Sequence, residues 1–123
     1  MMRSVTCIIA HLRYGANMKP DEAIAALLAL GQTTRLDAYR LLLEQGPSGL
    51  PVTEIGTRLG VNVSTLSRHL EQMERARLLK RRRRERQIFY AVNHDGMDEL
   101  LRFLTENCCK ADPLGCPNPL ASQ

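Results

Sequence analysis

A chain of 123 residues has the length for one domain with a modest core, so help from a second subunit is expected. It has no Trp and a formal net charge of +4, and no apolar run approaches the ~20 residues of a membrane helix. Nucleophile–base sets and phosphate loops are missing, and His11, His69 and His94 are scattered without catalytic partners, which argues against an enzyme.

Residues 1–17 show no clear period. They read as an extension, disordered or lying ahead of a natural start at Met18. Cys7, inside it, reads as a small buried hydrophobe rather than a ligand. The helical pattern begins at Pro20, with Asp21 and Glu22 in the first turn, where negative charge suits the helix dipole. Ile24, Leu27 and Leu28 recur at helical spacing, and Gly31 stops the helix. Thr33 or Thr34 is expected to cap a second helix carrying Leu36, Tyr39, Arg40 and Leu43, broken by Gly46-Pro47. A third helix is expected over Glu54 to Leu59 with Thr53 as its cap. Asn62 is expected to cap a fourth that reaches about Ala76 and turns Leu66, Leu70 and Met73 inward.

After Arg77 the period changes from helix to strand. Two strands are expected, turning near Glu85, the second rich in β-formers from Gln87 to Val92. His94 or Asp95 opens a last helix with Met97, Leu100, Leu101 and Leu104 at core spacing, fraying at Asn107 to Cys109. Pro113, Gly115, Pro117 and Pro119 make the tail a loop. The chain thus divides into residues 1–17, a folded domain over residues 18–107, and a cysteine-containing tail over residues 108–123.

The short third and fourth helices joined through Gly60-Val61-Asn62 form a helix-turn-helix, and the hairpin makes it winged. Nine of the 17 basic residues fall between Arg68 and Arg86, a focused positive field suited to a polyanion. A merely solvated charged face is the rival reading, and the adjacent helix-turn-helix weighs against it. The outward face of the fourth helix offers Ser64, Thr65, Ser67 and Arg68, short hydroxyls and a guanidinium suited to phosphates and base edges. Asn62 and the wing residues Arg82, Arg83, Arg84 and Arg86 complete the expected DNA-binding set. His69 reads as a packing or phosphate-side residue.

These residues resemble the ArsR/SmtB family of metalloregulators. The resemblance rests on Leu28-Ala29-Leu30-Gly31-Gln32-Thr33-Thr34-Arg35-Leu36, on Val63-Ser64-Thr65-Leu66-Ser67-Arg68-His69-Leu70, on Ala76-Arg77-Leu78-Leu79, and on the basic hairpin ending Ile88-Phe89-Tyr90. It covers about residues 21–107. It implies a mainly α winged helix-turn-helix with a small β-hairpin (ααααββα), a homodimer that represses transcription at operator DNA until a metal or metalloid binds. The first and last helices form the family's dimer interface, which fits the Ile24/Leu27/Leu28 and Leu100/Leu101/Leu104 stripes. Two departures stand out. Thr33 replaces a common proline, and Glu85-Arg86 occupy a wing tip where glycine is usual, so the tip is expected to be wider or more phosphate-directed.

The family's cysteine site at the third helix has no counterpart here. Its paired His and carboxylates on the last helix reduce to His94 with Asp95, Asp98, Glu99 and Glu106. Cys108, Cys109 and Cys116 remain, and they resemble the arsenic-responsive branch. Soft thiolates select soft ions, and trivalent arsenic takes three sulfur bonds; zinc would want a fourth ligand. The expected inducer is arsenite or methylarsenite, with no organic cofactor. Cadmium, lead or antimonite, or a thiol redox switch near Lys110, are the alternatives. Four cysteines without a secretion signal fit reduced thiols in a cytoplasmic protein with no membrane partner.

Overall fold

The computed structural model describes residues 18–106. Helix α1 (Pro20–Leu30) starts on its proline, and Glu22 Oε1 accepts from the Lys19 backbone N–H at 2.9 Å. Its inward face is small: Ala23, Ala26 and Ala29 are buried. The bulky Ile24, Leu27 and Leu28 point the other way and stay 55, 44 and 65 % exposed.

Helix α2 (Thr33–Gln45) begins one residue earlier than a threonine cap would allow. Gln32 is the cap, its Oε1 accepting from the Arg35 N–H at 2.9 Å, so Thr33 is already helical. The helix buries Ala38, Tyr39 and Leu42; of the residues noted from the sequence only Tyr39 is in the core, and Leu36 and Leu43 lie on the outer side. Burial, helped by the nearby Asp98 carboxylate, pushes the Tyr39 phenol up to about 12.

A short strand absent from the sequence reading, β1 (Leu50–Pro51), follows. Gly49 makes it possible. Its φ of 71° lies in the left-handed region, and a Cβ there would run into the Tyr90 carbonyl. Helix α3 (Val52–Leu59) is preceded by Pro51 with no side-chain cap, so Thr53 lies inside the helix rather than capping it. Helix α4 (Val63–Arg75) is capped as expected: Asn62 Oδ1 accepts from Ser64 N at 2.7 Å and Thr65 N at 3.4 Å. Leu66, Leu70 and Met73 are fully buried.

Strands β2 (Leu79–Arg84) and β3 (Gln87–Val92) form the expected hairpin, and β3 also pairs with β1, giving a three-stranded antiparallel sheet in the order β1-β3-β2. Arg84 pairs with Gln87, so only Glu85 and Arg86 turn the chain. Glu85 adopts φ 55°, the conformation a glycine usually supplies, and the tip stays tight instead of widening. Helix α5 (His94–Thr105) is capped by Asn93, whose side chain accepts from Gly96 N. Leu100 is buried, and Leu104 remains 52 % exposed. One core joins α1 through α4 to the inner face of the sheet and to Leu100. Among the described residues no helix is long and apolar enough to cross a membrane.

Candidate nucleic-acid interface

The cap at Asn62 fixes where α4 starts, and the burial of Leu66, Leu70 and Met73 fixes which way it faces. Ser64, Thr65 and Arg68 are then left exposed, while Ser67 is half-buried at the edge of the strip. Glu71 and Arg75 continue the exposed side one and two turns on. Asn62 is exposed too, but its side-chain oxygen is committed to the α4 N–H groups, leaving its amide N–H as the outward donor.

The wing sorts its arginines by the two faces of the hairpin. Arg81 pairs with Tyr90 and Arg83 with Ile88, on the face that carries Leu79 and Val92 into the core. Burial raises the Tyr90 phenol above its usual value, while the adjacent Arg81 pulls it down. Lys80, Arg82 and Arg84 share the opposite face with Phe89 and Ala91. There Arg84 lies over the Phe89 ring, 4.6 Å from its centre, and donates to the Ser48 carbonyl at 3.3 Å. Arg84 is therefore partly engaged by the protein, whereas Arg82, Arg83 and Arg86 stand exposed with no contact of this kind among the described residues.

Further contacts on two sides tie this surface to the helices beside it. Arg77, at φ 66° between α4 and β2, forms an ion pair with Glu99 of α5 at 3.1 Å. Its carbonyl lies where any side chain on Gly96 would sit, so α5 presses directly on the joint between α4 and the wing. The Asn93 N–H adds a bond to the Leu78 carbonyl at 2.9 Å. On the other side, Arg35 reaches from α2 to His69 on α4. Sequence reading placed His69 at the phosphate side or in packing and missed Arg35 as its partner. The one local signal was an arginine just inside a short helix connection.

Cys108, Cys109 and Cys116 lie outside the described residues, as do Cys7, Lys110 and the expected fraying at Asn107. Among the described residues no three His, Cys, Asp or Glu side chains gather into a group that could hold a metal.

A capped helix-turn-helix, a recognition-helix face of short polar side chains and an arginine-rich wing define a winged helix-turn-helix DNA-binding protein. A family model described as a helix-turn-helix domain matches residues 30–82. The transcriptional activator HlyU of Vibrio cholerae is 28 % identical over 91 residues, 74 % of this chain and 82 % of its own. A solved structure of HlyU is 30 % identical, covering 71 % of this chain and 97 % of that one, with a TM-score of 0.55. A structure of reduced HlyU is 31 % identical, covering 68 % and 88 %, also at 0.55. The same fold recurs at 24 % identity in a homodimeric winged helix-turn-helix DNA-binding domain from Mycobacterium bovis, with a TM-score of 0.57 over 74 % of this chain and 84 % of that one. It recurs again at 18 % identity in an ArsR family transcriptional regulator, with a TM-score of 0.63 over 73 % and 90 %. The chain belongs to the HlyU family of winged helix-turn-helix transcriptional regulators, and it shares its fold with the ArsR family regulator. It is a regulator and not an enzyme.

Proposed function

We propose that the protein is a dimeric, operator-binding repressor released from DNA when trivalent arsenic binds the thiolates of Cys108, Cys109 and Cys116. The observation that carries the DNA-reading half is the α4 face: Ser64, Thr65 and Arg68 exposed beside the free wing arginines Arg82, Arg83 and Arg86. Two such helices, one per subunit, enter successive major grooves while the wings hold phosphates. The dimer reading is supported by the bulky apolar face of α1 and by exposed Leu104 of α5. A 123-residue chain that turns leucines outward and alanines inward on one helix is arranged for a second apolar surface.

The switch half is supported by chain order and by the α5 joint. The three cysteines come after α5 in the chain, and the cap and second turn of α5 are pinned to Leu78 and Arg77 at the base of the wing. Closing three thiolates around one ion would redirect the far end of α5. Its near end would then shift the wing and α4 relative to the dimer axis. The effect is a coupling free energy, so operator DNA weakens arsenic binding by the same factor as arsenic weakens DNA binding.

A second reading, a thiol redox switch, is favoured by the relative solved specifically as reduced HlyU. That relative is also named an activator. The same operator occupancy represses or activates according to where the operator lies relative to the promoter. The discriminating experiment titrates the reduced dimer, bound to DNA from upstream of its own coding sequence, with arsenite, methylarsenite, cadmium, zinc and a thiol oxidant. Release by arsenite under reducing conditions supports the metalloid reading; release by oxidant alone supports the redox one.

A further inference from the structure

Arg35 spends its whole guanidinium on two other helices. Nε donates to the Ala29 carbonyl at 2.6 Å and Nη2 to the Leu28 carbonyl at 3.4 Å, both in the last turn of α1. Nη1 lies 2.9 Å from Nδ1 of His69, 34 residues away on α4. The root of the side chain is anchored as well, since the Arg35 N–H is held by Gln32 Oε1 at 2.9 Å. A guanidinium can only donate. His69 Nδ1 must therefore accept, and the ring is neutral with its proton on Nε2. Burial first and the neighbouring Arg35 second hold the His69 pKa below its ordinary value, in keeping with a neutral acceptor.

The helices joined in this way are the two that matter most to the DNA complex. Leu28 offers its carbonyl to Arg35 while its side chain stands 65 % exposed on the outer face of α1. His69 directly follows Arg68 on the helix that presents the exposed polar strip. A simple cap for the end of α1 needs only the two carbonyl bonds. The third bond, to a side chain on another element, has no place in capping.

We propose that Arg35 is a positioning residue for DNA recognition, a strut that sets the angle of α4 against the outer face of α1 through His69. In a dimer joined by α1, that angle decides whether two recognition helices meet two half-sites at once. The inference rests on the reading of α1 as a dimer face and α4 as the operator-reading helix. It predicts a loss of specificity with little loss of general DNA affinity, because the phosphate-binding arginines are untouched.

The test compares Arg35→Ala, Arg35→Lys, His69→Ala, His69→Asn and the Arg35→Ala/His69→Ala double variant. Operator and random DNA are measured for each, at a temperature where each is folded by circular dichroism. Arg35→Ala, Arg35→Lys and His69→Ala should each lower the operator-to-random ratio by about tenfold, with the random-DNA affinity and the dimer constant unchanged. Lysine keeps the charge but cannot bridge both helices. His69→Asn, whose Oδ1 lies close to where Nδ1 was, should restore most of the ratio. The double variant should be no worse than either single one. Equal losses on both DNAs, additive single losses, or rescue by lysine would overturn the strut. If the wild type neither dimerises nor prefers any DNA, the proposed function falls and the strut is judged by nitrogen spectra of His69. A fixed Nε2–H tautomer in the wild type that relaxes in Arg35→Ala upholds it; identical spectra sink it.

Discussion

Replacing Asn62 separates the folding of the recognition helix from its encounter with DNA. Its Oδ1 takes two of the α4 N–H groups that have no partner within the helix, at 2.7 and 3.4 Å. The shorter bond has good geometry and the longer is weak, and the site is exposed, so water recovers part of what Asn62→Ala removes. The loss should be about 1 kcal/mol, near the middle of the range for N-caps. For a domain of this size that lowers the unfolding midpoint by roughly 4–8 °C. Asn62→Asp keeps an acceptor and adds a negative charge at the positive end of the α4 dipole, so it should match or exceed wild-type stability. The same charge faces the DNA, so operator affinity should fall although the fold is firmer. Thermal unfolding by circular dichroism and operator binding by fluorescence anisotropy would be run on the same three proteins. An Asn62→Ala midpoint equal to the wild type would refute the capping argument. Unchanged DNA binding in Asn62→Asp would refute the placement of this helix end against phosphate.

Arg82→Ala combined with Arg83→Ala should weaken binding to all DNA alike and flatten the salt dependence by about one unit of slope per lost phosphate contact. Arg84→Ala should do less, because that side chain is partly held by Phe89 and Ser48; anisotropy titrations over a range of salt concentrations measure both. Arg68→Ala should cost about 1–3 kcal/mol on the operator and less on random DNA, and equal losses would make Arg68 a phosphate ligand only. The raised Tyr39 pKa makes a pH prediction. The unfolded chain loses this proton near pH 10 and the folded chain near 12, so the contribution is intact below about pH 10 and declines as pH rises toward 12. Denaturant unfolding of the wild type and Tyr39→Phe across that range should show the extra alkaline decline in the wild type alone.

The elements read correctly beforehand are those whose determinants are local. Asn62 caps α4 because its own side chain reaches two residues along, and the hairpin turns at Glu85 because an alternating basic run and a run rich in β-formers are separated by two residues. The misses are the features set by partners far away in sequence. Leu50–Pro51 is a strand only because Tyr90 and Phe89 lie beside it. Thr33 and Thr53 are sound cap residues by type, yet the packing of α2 and the β1 pairing start both helices earlier, at Thr33 and Val52, with Gln32 and Pro51 in the cap positions. The stripe Leu36–Tyr39–Leu43 and the buried trio Ala38–Tyr39–Leu42 are both helical in period, and only tertiary contact chooses between them. At the interface, the exposure of Ser64, Thr65 and Arg68 followed from the period of α4. The engagement of Arg84 and the Arg35–His69 bond depended on three-dimensional neighbours, with no more local trace than an arginine just inside a short helix connection.

The central claim is that three thiolates after α5 govern the grip of α4 and the wing on DNA. The most direct measurement is an arsenite titration of the reduced operator complex for the wild type and for Cys108→Ser, Cys109→Ser and Cys116→Ser. All four proteins should bind the operator equally without arsenic, and each serine variant should need far more arsenite for release, a hydroxyl being a poor ligand for a soft ion. Methylarsenite, with only two sulfur bonds to make, should still release the Cys116→Ser variant and fail with the other two. A Cys116→Ser complex that releases normally with inorganic arsenite would contradict the three-thiolate switch.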